Sequence, residues 1–221
     1  MRLDGVIFDL DGTLLDSSPD VFNAANYVLQ RRNMSTSLVA VRAALASGSA
    51  EWMRDLLKSM GMALSEEEYQ EIRKEFLQYY RLHPMVDSEV FAGVETCLQK
   101  LKSLGVKLAV CTNKPSKLTA LVLKQAGLAE YFEVVVAADD VVAKKPDPLH
   151  LHETIKRLGT EKVVMIGDSR ADILAADAAG VPSLLFCEND SKSLDNTYIE
   201  MTQGVFFCYS ALLFKLEELM G

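Results

Sequence analysis

The sequence predicts an α/β fold, in which a parallel sheet carries helices on both faces and an all-helical segment is inserted after the first strand. Two observations predict it. Short apolar runs alternate with amphipathic segments over the C-terminal two-thirds of the chain, and residues 17–84 have helical periodicity with few strand signals. Strands separated by single helices form βαβ units, whose sheets are parallel and covered on both faces.

The first strand is Val6-Ile7-Phe8, a continuous apolar run of the kind that a buried parallel strand needs. It is followed directly by Asp9-Leu10-Asp11-Gly12-Thr13. The glycine allows a sharp turn and a close approach of the backbone to a ligand. Paired acids at a strand end hold a metal, or one attacks while the other moves protons. Taken alone, the motif is equally compatible with an Asp-rich turn.

The segment after this strand predicts helices and no strand. Ser65-Glu66-Glu67-Glu68 is a capping box, the typical start of a helix. The periodicity predicts helices over 21–31, 37–46, 52–60 and 65–80. A helical block between the first strand and the rest of the sheet predicts an inserted cap domain. We therefore expect a catalytic core of residues 1–16 and 85–221, and an all-α cap domain of residues 17–84.

The remaining elements alternate between strand and helix. Pro115 and Ser116 open a helix that Gly127 closes, and Asp147-Pro148 opens the next one with an N-cap and a first-turn proline. Gly180 closes a third. The predicted strands are 106–111, 133–137, 163–166, 181–186 and 205–207, and the predicted helices after the first of them begin near 115, 147, 171 and 210.

Composition excludes several classes of protein. The net charge of −8 argues against general binding of nucleic acid or of anionic membranes. The sequence contains no run of 18 apolar residues, so no membrane span is predicted. The four cysteines form no Cys-x-x-Cys pair, which argues against a zinc site or a disulfide framework and fits a reducing compartment. Cys97, Cys111 and Cys208 lie in apolar runs and are expected to be buried. We expect a cytoplasmic protein.

Polar residues follow several of the predicted strands. Thr112-Asn113-Lys114 follow the second strand, Lys145 lies before the Asp147 helix, and Asp168 and Asp172 follow the strand that ends at Ile166. Ligands of parallel sheets bind beyond the carboxyl ends of the strands. Phosphoryl transfer needs a carboxylate nucleophile, a hydroxyl and a cation for the phosphoryl oxygens, and further carboxylates for Mg²⁺. Each residue alone has an ordinary structural explanation, but their joint placement favours such a site.

These segments together resemble the haloacid dehalogenase-like hydrolase superfamily, and within it the phosphoglycolate phosphatase group. The resemblance covers nearly the whole chain and implies a Rossmann-like core with a helical cap. The matching segments are Phe8-Asp9-Leu10-Asp11-Gly12-Thr13-Leu14, Thr112-Asn113-Lys114-Pro115, Lys144-Lys145-Pro146-Asp147-Pro148 and Gly167-Asp168-Ser169-Arg170-Ala171-Asp172-Ile173.

The resemblance implies a role for each catalytic residue. Asp9 would attack phosphorus and form an aspartyl-phosphate. Asp11 would protonate the leaving oxygen and then take a proton from water. Thr112 would hydrogen-bond a phosphoryl oxygen, and Lys145 would pair with phosphate and offset the charge around Asp9.

The resemblance also implies a magnesium site. The side chains of Asp9 and Asp168 and the backbone carbonyl of Asp11 would hold Mg²⁺, and Asp172 would orient a metal-bound water. Asn113 would help to position the substrate. We further predict that Arg42 or the loop from Ser47 to Glu51 faces the leaving group.

The expected partner is a small phosphorylated metabolite, with 2-phosphoglycolate as the first choice of substrate. A phosphatase of sugar phosphates or amino-sugar phosphates, a β-phosphoglucomutase-like mutase and a non-catalytic phosphate-sensing module are the alternatives. Asp11 argues against a dehalogenase and a phosphonatase, because both of those enzymes lack an acid at this position. The protein is expected to act as a monomer or a homodimer.

Overall fold

A six-stranded parallel sheet forms the centre of the molecule, in a computed structural model that describes residues 3–47, 49, 51–188 and 196–220. The strands of this sheet lie in the order β5-β4-β1-β6-β7-β8, and two further strands, β2 and β3, pair separately in antiparallel fashion. The strands are β1 Gly5–Phe8, β2 Leu15–Asp16, β3 Glu89–Val90, β4 Lys107–Cys111, β5 Val134–Val136, β6 Val163–Gly167, β7 Ser183–Phe186 and β8 Val205–Phe206.

Ten α-helices lie in the described part of the chain, with a short 3₁₀-helix at Ala129–Tyr131. Four of the α-helices precede β3 and six follow it. They are α1 Ser18–Gln30, α2 Leu38–Ala46, α3 Trp52–Ser59, α4 Glu66–Leu82, α5 Val94–Ser103, α6 Ser116–Gln125, α7 Leu149–Leu158, α8 Arg170–Ala178, α9 Asn196–Glu200 and α10 Tyr209–Met220.

Apolar side chains cover both faces of the sheet, as the continuous apolar strands require. Val6 and Phe8 of β1 point to the face that α5 and α10 cover, where Leu98 and Leu212 are fully buried. Ile7 points to the opposite face, which α7 and α8 cover. The predicted α/β fold with helices on both faces is therefore confirmed.

The parallel register brings three strand ends to one level. Phe8, the last residue of β1, lies opposite Val110 of β4 and Ile166 of β6. The residues that follow these strands must therefore emerge side by side at the carboxyl edge of the sheet.

Helices α1 to α4 pack around an apolar cluster that is separate from the three clusters on the sheet. We refer to these four helices as the helical unit. Val28, Ile72 and Phe76 lie in its interior, and Leu118 of α6 joins the cluster from the sheet side. Arg32, in the turn after α1, donates two hydrogen bonds of 3.0 and 3.2 Å to Glu75 of α4. A division into domains at residues 17 and 84 stays a prediction.

Two short strands connect the helical unit to the sheet, and the sequence analysis did not predict them. Leu15 and Asp16 of β2 pair with Val90 and Glu89 of β3. Two-residue strands leave no periodicity to detect. The pairing of β2 with β3 joins the segment by which the chain enters the helical unit to the segment by which it leaves, although the two are far apart in the sequence.

The other predicted elements differ from the structure by at most three residues at their ends, which is close to the usual uncertainty. The N-cap residue of α7 is Pro148 and not Asp147 as predicted, although the Asp147 carboxylate accepts a hydrogen bond from Leu149 N at 2.9 Å. Helices α5 and α9 were not predicted. Cys208 is exposed, so the expectation that it is buried was wrong, whereas Cys97 and Cys111 are buried. Among the described residues, no helix is both long and apolar enough to cross a bilayer.

Candidate active site

A cavity of about 830 Å³ lies between the carboxyl edge of the sheet and the helical unit. Its floor is formed by residues that directly follow β1, β4 and β6. The predicted site residues that line the cavity are Asp9, Asp11, Arg42, Thr112, Asn113, Lys145 and Asp168. Asp172 does not line it and is buried beneath the floor. The tertiary structure thus brings together residues that are more than 150 positions apart in the sequence.

Lys145 is the buried cation of this floor. Its ammonium nitrogen lies 3.0 Å from Asp9 Oδ1 and 2.6 Å from Asp172 Oδ1. It also donates a hydrogen bond of 2.6 Å to the backbone carbonyl of Cys111, at the end of β4. Burial disfavours the charged ammonium, but the attraction of Asp172 and Asp9 outweighs burial and raises the pKa of Lys145 above its ordinary value. Lys145 is therefore a fixed positive charge.

Asp9 is buried among charges of both signs. Burial raises the pKa of its carboxyl well above the ordinary value of 3.8, Lys145 opposes the rise, and the nearby Asp172 and Asp168 add to it. The buried Oδ1 atom forms the ion pair with Lys145 but accepts no well-aligned hydrogen bond from the described residues. A further cation at this edge would favour the ionised carboxylate.

Three carboxylates form a cluster that fits a metal ion. One oxygen each of Asp9, Asp168 and Asp172 lies within 4.8 Å of the others. Hard carboxylate oxygens are the ligands that Mg²⁺ prefers. Lys145 and Ser169 already engage Asp172, whose Oδ2 accepts hydrogen bonds from Ser169 N and Oγ at 3.0 and 2.6 Å. Both carboxylate oxygens of Asp172 are therefore engaged by neighbouring groups of the protein.

The turn after β1 brings its backbone against Asp168. Gly12 has a φ of +82°, and a Cβ at this position would overlap the Asp168 carboxylate. Thr13 Oγ1 donates a hydrogen bond of 2.9 Å to Asp168 Oδ1. Glycine is required here both by its backbone conformation and by this close approach. The turn thus aligns Asp168 with Asp9.

Asp11 pairs with a lysine to which the sequence analysis assigned no role. Lys114 Nζ lies 2.8 Å from Asp11 Oδ1 and 3.1 Å from Oδ2, and it donates a hydrogen bond of 2.7 Å to the Tyr80 hydroxyl. Burial disfavours the charge, but Asp11 and Tyr80 raise the pKa of Lys114 above its ordinary value. The only signal in the sequence was its place in Thr112-Asn113-Lys114, and that spacing does not reveal its partners.

Thr112 and Asn113 follow β4 at the floor of the cavity. Thr112 Oγ1 accepts a hydrogen bond of 3.2 Å from Lys114 N, which leaves its own proton available to a ligand. Asn113 Nδ2 donates to the Lys145 carbonyl at 2.8 Å, and its buried Oδ1 has no hydrogen-bond partner in the described part of the chain. Both side chains offer polar atoms to a bound molecule.

Arg42 lies on the wall of the cavity rather than on its floor. Its guanidinium forms an ion pair with Asp16 Oδ2 at 2.7 Å, and its Nε donates to Ser18 Oγ at 2.8 Å. These partners hold Arg42 beside the connection between sheet and helical unit. Ser47 and Ser49 also line the cavity. The predicted loop from Ser47 to Glu51 is seen only in part, because Gly48 and Ala50 lie outside the described residues.

The helical unit gives the cavity a largely apolar wall. Trp52 and Phe76 meet edge to face, with ring centroids 5.6 Å apart, and Met53 and Leu77 lie beside them. Arg73 of α4 is a second cation of this wall, in addition to Arg42 of α2. The wall can therefore contact an organic group, while the floor binds charge.

His150 supports the floor from behind, and it lies outside the cavity lining. Its Nδ1 accepts a hydrogen bond from Lys145 N at 3.3 Å, and its Nε2 lies 3.2 Å from the Val136 carbonyl. Burial, with Lys145 adding to it, lowers the pKa of His150 to about 4. His150 is therefore neutral, and it holds the backbone that carries Lys145.

The chain resembles known proteins in sequence and in structure. A phosphoglycolate phosphatase of Neisseria meningitidis is 39% identical over 187 residues, which cover 83% of this chain and 80% of the relative. A crystal structure described as a predicted phosphoglycolate phosphatase of Haemophilus somnus superposes with a TM-score of 0.85 at 25% identity, over 97% of this chain and 98% of the other. A β-phosphoglucomutase of Clostridium difficile shares the fold, with a TM-score of 0.78 at 19% identity over 99% of both chains.

The family resemblance read from the four motifs is confirmed. The family model that matches is that of the haloacid dehalogenase-like hydrolases, and it spans residues 3–180, which include every predicted site residue. The chain therefore belongs to the haloacid dehalogenase-like hydrolase family, as a relative of its phosphoglycolate phosphatases.

Proposed function

We propose that this phosphoric monoester hydrolase is a Mg²⁺-dependent phosphatase of a small phosphomonoester and acts through an aspartyl-phosphate on Asp9. One observation carries the proposal. The Asp9 carboxylate lies at the open end of β1, beside the buried Lys145 ammonium and the carboxylates of Asp168 and Asp172, at the floor of a cavity large enough for a metabolite. This combination supplies both a nucleophile and charges that can hold a phosphoryl group.

The reaction has two steps. In the first, an Asp9 carboxylate oxygen bonds to phosphorus, the bond between phosphorus and the ester oxygen breaks, and Asp11 gives its proton to the departing oxygen. In the second, water attacks the phosphorus of the aspartyl-phosphate, Asp11 takes the proton of that water, and Asp9 leaves as a carboxylate. Thr112 donates a hydrogen bond to a phosphoryl oxygen, and the fixed charge of Lys145 attracts the equatorial oxygens.

Mg²⁺ would be held by the side chains of Asp9 and Asp168 and the backbone carbonyl of Asp11, and it would offset negative charge between these acids and a phosphate dianion. The raised pKa of Asp9 and the cluster of three acids support this placement. Asp172, already bound to Lys145 and Ser169, would orient a water of the metal rather than bind the ion itself.

The first choice of substrate is 2-phosphoglycolate. The relative from Neisseria meningitidis carries the name phosphoglycolate phosphatase, and it matches over most of both chains. Arg42 and Asn113 line the cavity. The Arg42 guanidinium offers donors to a leaving-group carboxylate, and Asn113 Oδ1 can accept a hydrogen bond from a leaving-group hydroxyl. Both are proposed as substrate-binding residues.

A second candidate is a phosphorylated sugar or amino sugar. The cavity volume of about 830 Å³ and the aromatic wall of Trp52 and Phe76 favour a leaving group larger than glycolate. Hydrolysis and phosphoryl transfer within a mutase both need Asp9 and Asp11, so the substrate and the phosphoryl acceptor distinguish these activities.

The testing experiment is phosphate release from a panel of small phosphomonoesters, with Mg²⁺ and with a chelator. Release is expected only with Mg²⁺, and Asp9→Asn is expected to lower kcat by a factor on the order of 10³ or more, because an amide is a poor nucleophile. Asp4→Asn is the matched control, because Asp4 precedes the amino end of the same strand, and it is expected to retain activity.

The outcomes separate the candidates. A preference for 2-phosphoglycolate supports the first choice, and a preference for a sugar phosphate supports the second. Turnover in the chelated enzyme, or an unchanged rate in Asp9→Asn, would contradict the proposed mechanism. Transfer of phosphate between sugar positions without release would support a mutase instead.

A further inference from the structure

A buried contact joins Asp11 to the helical unit, and the roles proposed so far do not use it. Lys114 Nζ lies within 3.1 Å of both Asp11 carboxylate oxygens and 2.7 Å from the Tyr80 hydroxyl. We call these three side chains the acid–base clamp. Asp11 belongs to the turn after β1, Lys114 to the loop after β4, and Tyr80 to α4. The clamp therefore connects the carboxyl ends of two neighbouring strands, β1 and β4, with the helical unit.

Lys114 has little freedom to move. Its side chain is 3% exposed, whereas that of Asp11 is 28% exposed. The backbone of Lys114 is held at both ends, because its N–H donates to Thr112 Oγ1 at 3.2 Å and its carbonyl accepts from Ala138 N at 3.2 Å. A buried ammonium with fixed partners imposes a geometry on the more exposed carboxylate that it binds. Lys114 is thus placed to determine where the Asp11 oxygens lie.

Tyr80 connects the clamp to the wall of the cavity. Its ring is 3% exposed and lies 5.7 Å from the ring of Phe76, which in turn meets Trp52. All three rings line the cavity where a leaving group would lie. A shift of α4 relative to the sheet would move the Tyr80 hydroxyl and, through Lys114, the Asp11 carboxylate.

We propose that Lys114 is the positioning residue for Asp11, and that the Tyr80 hydroxyl makes the position of Asp11 depend on the position of the helical unit. This inference rests on the proposed acid–base role of Asp11. Lys114 contacts neither phosphorus nor the ester oxygen. It acts by holding Asp11 in line with the departing oxygen, and the helical unit completes that alignment through Tyr80.

Leaving groups of different acidity reveal such a role. An alkoxide leaves only with a proton, whereas p-nitrophenolate leaves without one. The measured quantity is the kcat/KM for the alkyl phosphate that the enzyme cleaves best, divided by the kcat/KM for p-nitrophenyl phosphate. Because kcat/KM covers the steps up to the first P–O cleavage, this ratio reports the acid step and not the hydrolysis of the aspartyl-phosphate.

Lys114→Met is expected to lower the ratio by about tenfold or more, in the direction of Asp11→Asn, since general acid catalysis contributes on the order of 10²-fold to 10⁴-fold. Lys114→Arg retains the cation and is expected to restore part of the ratio. Tyr80→Phe removes one hydroxyl and is expected to lower the ratio by roughly threefold, which is a small part of the contribution of general acid catalysis. Tyr79→Phe is the matched control and should leave the ratio unchanged, because the Tyr79 ring stacks on Tyr27 and His83, away from the clamp.

A double variant decides whether Lys114 acts through Asp11. In an Asp11→Asn background, Lys114→Met is expected to cause no further fall in the ratio, because coupled residues are not additive. A merely structural role would lower both kcat/KM values in proportion and leave the ratio as in the wild type, which would overturn the proposal. An additional fall in the double variant would overturn it as well. Absence of phosphate release from the wild type would instead refute the proposed function, and the clamp with it.

Discussion

At the scale of single residues, the site is characterised by charged side chains that are buried or partly buried. Asp9, Asp11, Asp168 and Asp172 are four carboxylates near one another, and the two buried lysines, Lys114 and Lys145, balance only half of their formal charge. A divalent cation would balance the remaining negative charge. The two lysines also differ in position, since Lys145 pairs with Asp9, the proposed nucleophile, and Lys114 pairs with Asp11, the proposed acid–base residue.

A pH prediction belongs to the residue scale and concerns His150. Its pKa in the folded protein, about 4, lies below the ordinary value of 6.5, so the unfolded chain binds more protons between these two values. The stability contributed by neutral His150 is present above pH 6.5 and is lost as the pH falls towards 4. Between pH 7 and pH 5 we expect His150 to reduce the free energy of unfolding by about 2 kcal/mol.

Urea denaturation at both pH values tests this expectation. His150→Gln cannot titrate and should lose about 2 kcal/mol less than the wild type over the same pH change. His152→Gln is the matched control, because His152 is exposed on the same helix, and it should behave as the wild type does. An equal pH effect in the wild type and His150→Gln would refute the prediction.

At the scale of the elements, Asp20 of α1 stabilises the connection between the sheet and the helical unit. Its buried carboxylate accepts backbone hydrogen bonds from Val86, Asp87 and Ser88 at 2.9 to 3.2 Å, and one from Ser88 Oγ at 2.6 Å. These bonds tie the segment that leaves the helical unit to the start of its first helix. Together with the pairing of β2 and β3, they set how the helical unit joins the sheet.

We predict that Asp20→Asn lowers the free energy of unfolding by about 2 kcal/mol, because an amide cannot accept at both positions and leaves buried N–H groups unpaired. Chemical denaturation measures this change. Asp55→Asn, an exposed acid on α3, should change stability by less than about 0.5 kcal/mol. Comparable losses in the two variants would show that the bonds to Asp20 contribute nothing specific.

At the scale of the whole molecule, a metal at the sheet edge is linked to the stability of the entire fold. A ligand that binds only the folded state stabilises it by about 2.7 kcal/mol at one hundred times its Kd. For a chain of this size that corresponds to a rise in Tm of roughly 5 to 10 °C. We therefore expect Mg²⁺ to raise the Tm of the wild type.

Asp168→Asn should abolish most of this rise, because it removes one proposed ligand of the ion. Asp177→Asn, an exposed acid on α8, should retain it in full. Differential scanning calorimetry with Mg²⁺ and with a chelator measures the shift without any assay of activity. A rise of the same size in Asp168→Asn would place the metal elsewhere.

Local patterns in the sequence were enough to predict the six strands of the central sheet, eight of the ten helices, and the strand-end residues Asp9, Thr112 and Asp168. Apolar runs and capping residues act over a few positions, so they can be recognised without the fold. The expectation that the polar strand ends share a site followed from the parallel topology alone.

Tertiary structure decided the contacts between these elements. Lys114 meets Asp11 from 103 positions away and Tyr80 from 34, and Asp172 meets Lys145 from 27. No periodicity encodes such pairs, because they depend on how the loops and α4 pack against the sheet. The short strands β2 and β3 and the bonds to Asp20 escaped prediction for the same reason. The sequence by itself determined which chemical groups the site contains, and only the packing of distant segments decided which group holds which.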